Sequence, residues 1–202
     1  MAGTLSNMPG GGLIVTVDGP SGTGKSTMCR ALAKRLDAKY VDTGAMYRVA
    51  TLAVLRAGVD PADTAKVIEA TADLPLEVSD DPDSTEVLFA GEDVKGEIRG
   101  AEVTKHVSAV SAIPEVRVNL VELQRKLSRE AGRAIVEGRD IGTVVLPDAP
   151  AKVFMTASAE VRAKRRYDQD VAAGREADFD AVLADVQPVS YTHLTLPTIC
   201  SV

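Results

Sequence analysis

The residues best suited to do chemistry in this chain begin with residues 19–27, which read Gly-Pro-Ser-Gly-Thr-Gly-Lys-Ser-Thr. They fit the pattern G-x-x-x-x-G-K-[ST], which is a phosphate-binding loop when a strand precedes it and a helix follows it. Glycines allow backbone amides to point at an anion, and the helix N-terminus adds the positive end of its dipole. Lys25 is predicted to reach the outer phosphates of a nucleotide, and the Ser26 hydroxyl to bind Mg²⁺, which prefers oxygen ligands. The predicted phosphate-binding residues are Gly19, Pro20, Ser21, Gly22, Thr23, Gly24, Lys25, Ser26 and Thr27.

The segments on both sides of this loop have the required character. Residues 13–17, Leu-Ile-Val-Thr-Val, form an apolar run that predicts a buried strand, and residues 28–36 have apolar side chains at helical spacing. Further short apolar runs, at residues 38–41, 134–136 and 153–155, alternate with helical patterns. This alternation predicts an α/β fold in which a doubly wound parallel sheet carries the phosphate loop.

Residues 76–99 interrupt that pattern. Short β-like pieces at residues 76–78, 87–89 and 93–94 are separated by segments rich in Asp, Ser, Pro and Gly. We predict a small antiparallel β insertion beside the main sheet, because an unstructured loop of this length is uncommon in a compact domain.

The composition disfavours several classes of partner. The chain has 202 residues, a net charge of −6 and a pI near 5.0, which argues against broad binding to nucleic acid or to an anionic membrane. No apolar run approaches the ~20 residues of a membrane span, and residues 1–12 lack the features of a secretory signal. Cys29 and Cys200 offer neither metal-ligand spacing nor a disulfide framework. We expect a cytoplasmic monomer that binds small molecules.

Arginines at the ends of predicted strands and helices are the second group of candidates. A phosphoryl-transfer enzyme needs cations around the donor and acceptor phosphates, because negative charge spreads over the equatorial oxygens in the transition state. The forked guanidinium group suits this task. The chain lacks the Asn-Lys-x-Asp motif by which GTPases read guanine, and it is short for a transporter ATPase or a helicase. The arginines are Arg48, Arg99, Arg117, Arg139, Arg162, Arg165 and Arg166.

Together with the phosphate loop, four further runs resemble bacterial cytidylate kinases, which are P-loop nucleoside monophosphate kinases. The runs are residues 41–48, Val-Asp-Thr-Gly-Ala-Met-Tyr-Arg; residues 91–99, which contain Gly-Glu-Asp-Val and Ile-Arg; residues 138–145, Gly-Arg-Asp-Ile-Gly-Thr-Val-Val; and the arginine-rich helix from Arg162. The resemblance covers roughly residues 13–186. The phosphate loop is generic, whereas the runs Asp-Thr-Gly-Ala-Met-Tyr-Arg and Gly-Arg-Asp-Ile-Gly-Thr are specific to this family.

The resemblance implies transfer of the γ-phosphoryl group of ATP, with Mg²⁺, to CMP or dCMP. The helix at about residues 159–173 is then a lid that closes over the transferring group and excludes water. The implied catalytic residues are Lys25, Arg162 and Arg166. The implied ligands of the acceptor phosphate are Thr43, Arg48 and Arg139.

The same resemblance assigns the reading of cytosine to Ser108, Arg117 and Asp140. Cytosine presents an exocyclic amino donor beside two acceptors, so a carboxylate and two donor groups complement it. Uracil would turn a keto oxygen toward Asp140, which is a repulsive arrangement.

Each of these assignments has an alternative. Asp140 could be a helix cap, Arg117 could pair with Glu115 or Glu122, Asp42 could simply end a strand, and the lid arginines could be solvated. At the level of function, the alternatives are a P-loop kinase of another small acceptor and a non-catalytic or impaired ATP-binding remnant.

We predict the following organisation of the chain. Residues 1–12 form a flexible leader, residues 13–75 the first part of the core, and residues 76–111 the monophosphate-binding insertion. Residues 112–186 continue the core and include the lid helix. Residues 187–202 show neither helical period nor clean alternation, and they stand where the family has an Arg/Asp-rich segment, an edge strand and a final helix. We predict that they are a non-native tail on a truncated chain; the alternative is a natural irregular tail.

Overall fold

The computed structural model describes residues 12–172 and 174–186, and the backbone of residues 199–201. The strands are β1 (Leu13–Asp18), β2 (Lys39–Asp42), β3 (Leu76–Val78), β4 (Val87–Phe89), β5 (Glu92–Asp93), β6 (Arg133–Gly138), β7 (Ala151–Thr156) and β8 (Ile199–Ser201). The helices are α1 (Lys25–Arg35), α2 (Thr43–Arg56), α3 (Thr64–Thr71), α4 (Ala101–Ser111), α5 (Pro114–Ala131), α6 (Ala159–Ala172) and α7 (Phe179–Val186). A 3-10 turn covers Glu97–Arg99, and one turn of π-helix covers Ile141–Val145. No helix in the described ranges is both long and apolar enough to cross a membrane.

Within the described residues, the main sheet has the strand order β2-β6-β1-β7-β8, and its neighbouring strands run parallel. Strands β3, β4 and β5 form a separate antiparallel sheet. The prediction of a parallel α/β sheet with a small antiparallel insertion is therefore confirmed. Because parallel strands end at one edge of their sheet, the segments that follow β1, β2 and β6 meet there.

Helices pack on both faces of the main sheet, as a doubly wound fold requires. On one face, Cys29 and Ala33 of α1 belong to a cluster with Val15 and Val17 of β1. On the other face, Ile14 packs into a cluster with apolar residues of α2 and α5. Successive residues of β1 thus enter different clusters, since side chains of a strand alternate between its faces. This explains why β1 is a continuous apolar run rather than an alternating one.

Helix α2 begins at Thr43, directly after β2 ends at Asp42. Asp42 ends β2 and also caps this helix, because its Oδ1 accepts a hydrogen bond from the backbone N–H of Ala45 at 3.0 Å. Asp42 is therefore more than the end of a strand. Its cap brings the start of α2 directly onto the carboxyl edge of the sheet.

Part of the predicted tail is a strand, although its sequence has no strand pattern. The backbone of β8 pairs with β7, with Phe154 opposite Ile199 and Thr156 opposite Ser201. An edge strand offers main-chain N–H and C=O groups to any extended segment, so such pairing needs no particular composition. Residues 187–198 and 202, like most of the predicted leader (residues 1–11), lie outside the described residues. The non-native origin of residues 187–202 stays a prediction.

Candidate active site

The phosphate loop connects β1 to α1 at the carboxyl edge of the sheet, as predicted. Gly19 has φ +147°, and a Cβ at this position would lie 2.1 Å from the carbonyl oxygen of Met155. Gly22 has φ +80°, and its Cβ would lie 3.0 Å from the carbonyl oxygen of Arg162. Both glycines are therefore required by close backbone approach as well as by a left-handed conformation.

Lys25 is buried at the start of α1, and its ammonium group contacts the loop itself. Its Nζ donates hydrogen bonds to the carbonyl oxygens of Gly19 and Pro20, each at 2.8 Å. Burial is the main cause that lowers the pKa of Lys25, and the positive charge of Arg139 lowers it further, whereas Glu137 raises it. The ammonium group thus already lies where an incoming phosphate group could replace the two carbonyl partners.

Glu137, at the end of β6, is a site residue that sequence reasoning left unassigned. Its side chain is 8% exposed and accepts hydrogen bonds from the Ser26 hydroxyl at 2.9 Å and from the Tyr40 hydroxyl at 2.6 Å. Burial, followed by the nearby Asp42 carboxylate, raises the pKa of Glu137. An acidic residue at the end of a buried strand was the available signal. Only the pairing of β6 with β1 brings it beside the phosphate loop.

Thr43 lies at the predicted place, but its hydroxyl group already has a partner. Its Oγ1 donates to the backbone carbonyl of Glu137 at 2.7 Å, and the residue is buried. A Cβ on Gly138 would lie 2.7 Å from the same Oγ1. Thr43 therefore joins the start of α2 to the end of β6 at the carboxyl edge.

Arg48, on α2, is the centre of a group of cations that we call the arginine cluster: Arg48, Arg99, Arg139 and Arg166. The Arg48 guanidinium donates to the Ile98 carbonyl and to the Thr104 hydroxyl, each at 3.0 Å. Burial lowers the pKa of Arg48 most, and the positive charges of the other three arginines lower it further, against the opposing effect of Asp42. Cations from separate elements thus lie close enough to repel one another, which is the property expected of an anion site.

Arg117 of α5 and Asp140 form an ion pair, so the structure brings together two of the three predicted base-reading residues. Each side chain is about one third exposed, at 34% and 32%. The guanidinium carbon of Arg117 also lies 5.9 Å from the centre of the Tyr47 ring. Two of the alternative contacts are not formed. Asp140 makes no side-chain cap bond to the π-turn, and Glu122 pairs with Arg125 instead of Arg117.

Ser108, the third predicted base-reading residue, is exposed on α4. Its backbone carbonyl accepts a hydrogen bond from the Ser111 hydroxyl at 3.2 Å. Within the described chain, no hydrogen bond joins the Ser108 side chain to Arg117 or Asp140. Its role in reading the base stays a prediction.

The arginines of α6 take three different positions. Arg162, expected over the phosphates, is only 3% exposed and donates to the carbonyls of Ala157 and Val186, each at 3.2 Å. It is therefore not a solvated lid residue, and in this structure it joins α6 to the end of α7. Arg166 pairs with Asp170 at 3.7 Å. The catalytic assignment of Arg162 and Arg166 stays a prediction.

Arg165, which the sequence placed only in the basic cluster of this helix, contacts the phosphate loop. Its Nη1 donates to the carbonyl oxygen of Thr23 at 2.9 Å and to that of Gly22 at 3.3 Å. These bonds join α6 to the carbonyls of Gly22 and Thr23 in the phosphate loop. No periodicity or motif indicates this contact, because it joins residues far apart in sequence.

Comparison with known proteins yields consistent matches. A family model described as cytidylate kinase matches residues 15–189. A cytidylate kinase from Corynebacterium glutamicum is 74% identical over 179 residues, which cover 89% of this chain and 78% of that protein. The cytidylate kinase from Rhodococcus opacus is 63% identical over 175 residues, or 87% of this chain and 76% of that protein. Among solved structures, a gluconokinase from Sinorhizobium meliloti aligns with a TM-score of 0.44 and 14% identity, over 94% of this chain and 81% of that one.

Proposed function

The chain belongs to the cytidylate kinase family and transfers the γ-phosphoryl group of ATP to CMP or dCMP. From this premise we propose which residues perform each part of the reaction. The alternatives were a kinase of another small acceptor and a non-catalytic remnant. The matches support neither of them better than they support a cytidylate kinase. The observation that carries the proposal is the arginine cluster, because an excess of positive charge around Arg48 suits a place where two phosphate groups meet.

On the donor side, residues 19–27 bind the phosphates of ATP, and Lys25 is catalytic. Its ammonium group exchanges the carbonyls of Gly19 and Pro20 for phosphate oxygens. The bonds from Arg165 hold the carbonyls of Gly22 and Thr23, so this part of the loop is already fixed when ATP binds.

Mg²⁺ fits beside Ser26 and Glu137. The two side chains present hard oxygen atoms next to the phosphate loop, and their Oγ–Oε1 distance is 2.9 Å. Among the described residues, no group of three or more His, Cys, Asp or Glu side chains could hold a metal ion. Ser26 would bind the ion together with phosphate oxygens, and Glu137 would bind it or orient the Ser26 hydroxyl. The ion would neutralise charge between the donor phosphates.

On the acceptor side, Arg48 and Arg139 bind the phosphate of CMP, with Thr43 at the same edge of the sheet. The exposed Arg139 has no hydrogen-bond partner among the described residues, so its guanidinium group is free to bind an anion. An anionic phosphate is already a nucleophile, so the transfer needs positioning and charge neutralisation rather than a covalent intermediate.

The lid residues Arg162 and Arg166 complete the proposal. The positive charge of Arg166 lowers the pKa of Arg48, so Arg166 lies on the side of α6 from which it would approach a phosphate bound at Arg48. Arg162 reaches the reacting group only if its bonds to Ala157 and Val186 are exchanged for phosphate contacts. Closure of the lid would then be coupled to a movement of α7.

Asp140, Arg117 and Ser108 read the cytosine ring. The ion pair of Asp140 and Arg117 presents a carboxylate beside a guanidinium, which is the pattern that the amino group and the neighbouring acceptors of cytosine require. We further propose that the enzyme is a cytoplasmic monomer with no nucleic-acid or membrane partner, which its net charge of −6 supports.

The substitution Asp140→Ala tests this assignment. We expect kcat/KM for CMP to fall at least about tenfold, and the preference for CMP over UMP to narrow, because the variant loses a discriminating polar contact. Steady-state assays with CMP, dCMP, UMP and AMP measure both effects. Glu122→Ala is the matched control, since it removes a nearby carboxylate that pairs with Arg125. An Asp140→Ala enzyme with wild-type efficiency and base preference would contradict the assignment.

A further inference from the structure

We propose that Asp18 is a positioning residue. It holds the segment that carries Asp140, at residues 140–142, against the end of β1 and so joins this segment to the phosphate loop. The inference rests on the proposed role of Asp140. It concerns a buried residue outside the proposed nucleotide contacts, which acts through the backbone amides of Ile141 and Gly142.

The geometry around Asp18 is closely defined. Asp18 is the last residue of β1 and directly precedes Gly19, and its side chain is fully buried. Its Oδ1 accepts a hydrogen bond from the backbone N–H of Ile141 at 2.7 Å, and its Oδ2 accepts one from Gly142 at 2.8 Å. Both carboxylate oxygens are thus used on the two residues that immediately follow Asp140.

The segment held by Asp18 packs tightly against β1. A Cβ on Gly142 would lie 2.7 Å from Oγ1 of Thr16 and 3.2 Å from Oδ2 of Asp18. On the other side of Asp140, a Cβ on Gly138 would lie 2.5 Å from the Ile141 side chain. The backbone is therefore constrained both before and after Asp140, so the direction of its carboxylate depends on these contacts.

The ionised form of Asp18 is the one that suits this role. A carboxylate can accept from both amide groups, whereas a protonated acid has one oxygen that carries a hydrogen. Burial raises the pKa of Asp18, and the charge of Asp140 raises it further; the two amide bonds and the charge of Lys25 lower it. Burial of a carboxylate lowers the stability of the fold unless hydrogen bonds compensate, so its presence here is explained if both acceptor oxygens are needed.

The arrangement links the two nucleotide sites mechanically. Asp18 is covalently joined to the loop that binds ATP, and its side chain is bonded to the segment that reads CMP. Because the side chain acts on the acceptor side, its loss affects CMP recognition more than ATP binding. A residue that only stabilised the fold would affect both sites in proportion to the lost stability.

The experiment compares Asp18→Asn with Thr71→Val. Asparagine keeps the size of the side chain, but its NH₂ group faces one of the two backbone N–H donors, so one bond is lost and a donor–donor contact is created. We expect KM for CMP to rise at least about tenfold and the CMP/UMP preference to narrow, with KM for ATP within about twofold of the parent value. Thr71→Val removes a buried hydroxyl group on α3 that donates to the Val67 carbonyl, outside the elements that carry the proposed site, and we expect parental KM values for both nucleotides.

Two further variants complete the test. If Asp18→Asn does not fold, Gly142→Ala displaces the same turn by its contact with Thr16, and adding Thr16→Ala removes that contact and should restore CMP recognition. Asp140→Ala is assayed in parallel. If it loses base discrimination while Asp18→Asn and Gly142→Ala keep it, the inference about Asp18 is overturned and the base-reading proposal stands. If none of the three alters discrimination, the base-reading proposal fails as well. Equal losses for ATP and CMP in Asp18→Asn would also overturn the inference.

Discussion

Two carboxylates at the carboxyl ends of neighbouring strands, Asp18 and Glu137, are buried and ionisable. Burial raises the pKa of both groups, and each is retained with specific donors: backbone amides for Asp18, and hydroxyl groups of Ser26 and Tyr40 for Glu137. A buried carboxylate that is held ionised destabilises the native state unless its partners compensate. Such a group is therefore expected to serve function at some cost in stability.

Glu137→Gln tests this trade-off. The pKa of Glu137 is raised in the folded state, so its contribution to stability is fully present below the unfolded pKa and is lost as the pH rises through the folded pKa. We expect the glutamine variant to melt about 2–4 °C above the parent protein at pH 7.5, with a gain that disappears near pH 4. Its kcat/KM should fall at least about tenfold, because the carboxylate beside Ser26 is lost.

Scanning calorimetry across pH and steady-state assays at several Mg²⁺ concentrations provide the measurements. Glu69→Gln, on the exposed side of α3, is the control and should change neither property. Parental activity in Glu137→Gln would remove Glu137 from the proposed magnesium site. An unchanged melting temperature at every pH would show that its partners fully compensate the burial.

At the scale of elements, α6 is docked onto the phosphate loop. The backbone of Arg162 faces Gly22, and Arg165 donates to the carbonyls of Gly22 and Thr23. The same helix contacts α7 in two ways. Arg162 donates to the Val186 carbonyl, and the rings of Tyr167 and Phe179 pack edge to face with their centres 6.1 Å apart. Contacts thus run from the phosphate loop to α6 and from α6 to α7. We therefore expect a displacement of α6 to weaken ATP binding before it affects the acceptor site.

Gly22→Ala measures this contact, and Gly91→Ala is its matched control. Both glycines have φ +80°, so alanine introduces the same backbone strain of about 1 kcal/mol or more at either position. Nothing lies within 4 Å of a Cβ on Gly91, whereas a Cβ on Gly22 meets the Arg162 backbone at 3.0 Å. We expect both variants to melt earlier, but only Gly22→Ala to raise KM for ATP, by about tenfold or more. A similar KM for ATP in the two variants would mean that the loop tolerates displacement of α6.

For the molecule as a whole, the β insertion packs against α2 through Val87 and Val94, and it is also joined to the core by the polar loop at residues 79–85. The Arg30 side chain of α1 donates to the carbonyls of Pro82, at 3.0 Å, and Ser84. Its guanidinium carbon also lies 4.4 Å from the centre of the Tyr40 ring, and Tyr40 in turn bonds Glu137. A continuous set of contacts thus runs from the insertion to the phosphate loop. The boundaries of the insertion at residues 76–111 stay a prediction.

Arg30→Met tests this attachment against Lys34→Met. Methionine keeps much of the apolar length of either side chain. Arg30 loses two hydrogen bonds and a cation–π contact, for which we expect a loss of about 1–2 kcal/mol in the free energy of unfolding. Lys34 loses only an exposed ion pair with Asp83, which contributes about 0–1 kcal/mol. Limited proteolysis should cleave residues 79–85 faster in Arg30→Met alone, and KM for CMP should rise in the same variant. Equal behaviour of the two variants would show that the Arg30 contacts do not help to attach the loop.

The sequence by itself determined the features that depend on neighbours along the chain. The phosphate loop, the buried strand before it and the three pieces of the insertion follow from spacing within a few residues, and the structure has each of them. The family resemblance alone implied that Arg117 and Asp140 belong to one site, because residues separated in this way carry no local signal. Their ion pair was not predicted and is a finding of the structure.

Only the tertiary structure decided the partners of charged groups that meet across elements. In the fold, Glu137 accepts a hydrogen bond from Ser26, and Asp18 accepts one from the turn after Asp140. Arg162 is buried and bonds the end of α7, whereas Arg165 bonds the carbonyls of the phosphate loop. Side chains on one helix share a sequence pattern, but their burial depends on what packs opposite them. The physical reason is that a charge is stabilised by whatever group the fold brings within hydrogen-bond distance, and that distance is set by strand order and helix packing rather than by position in the chain.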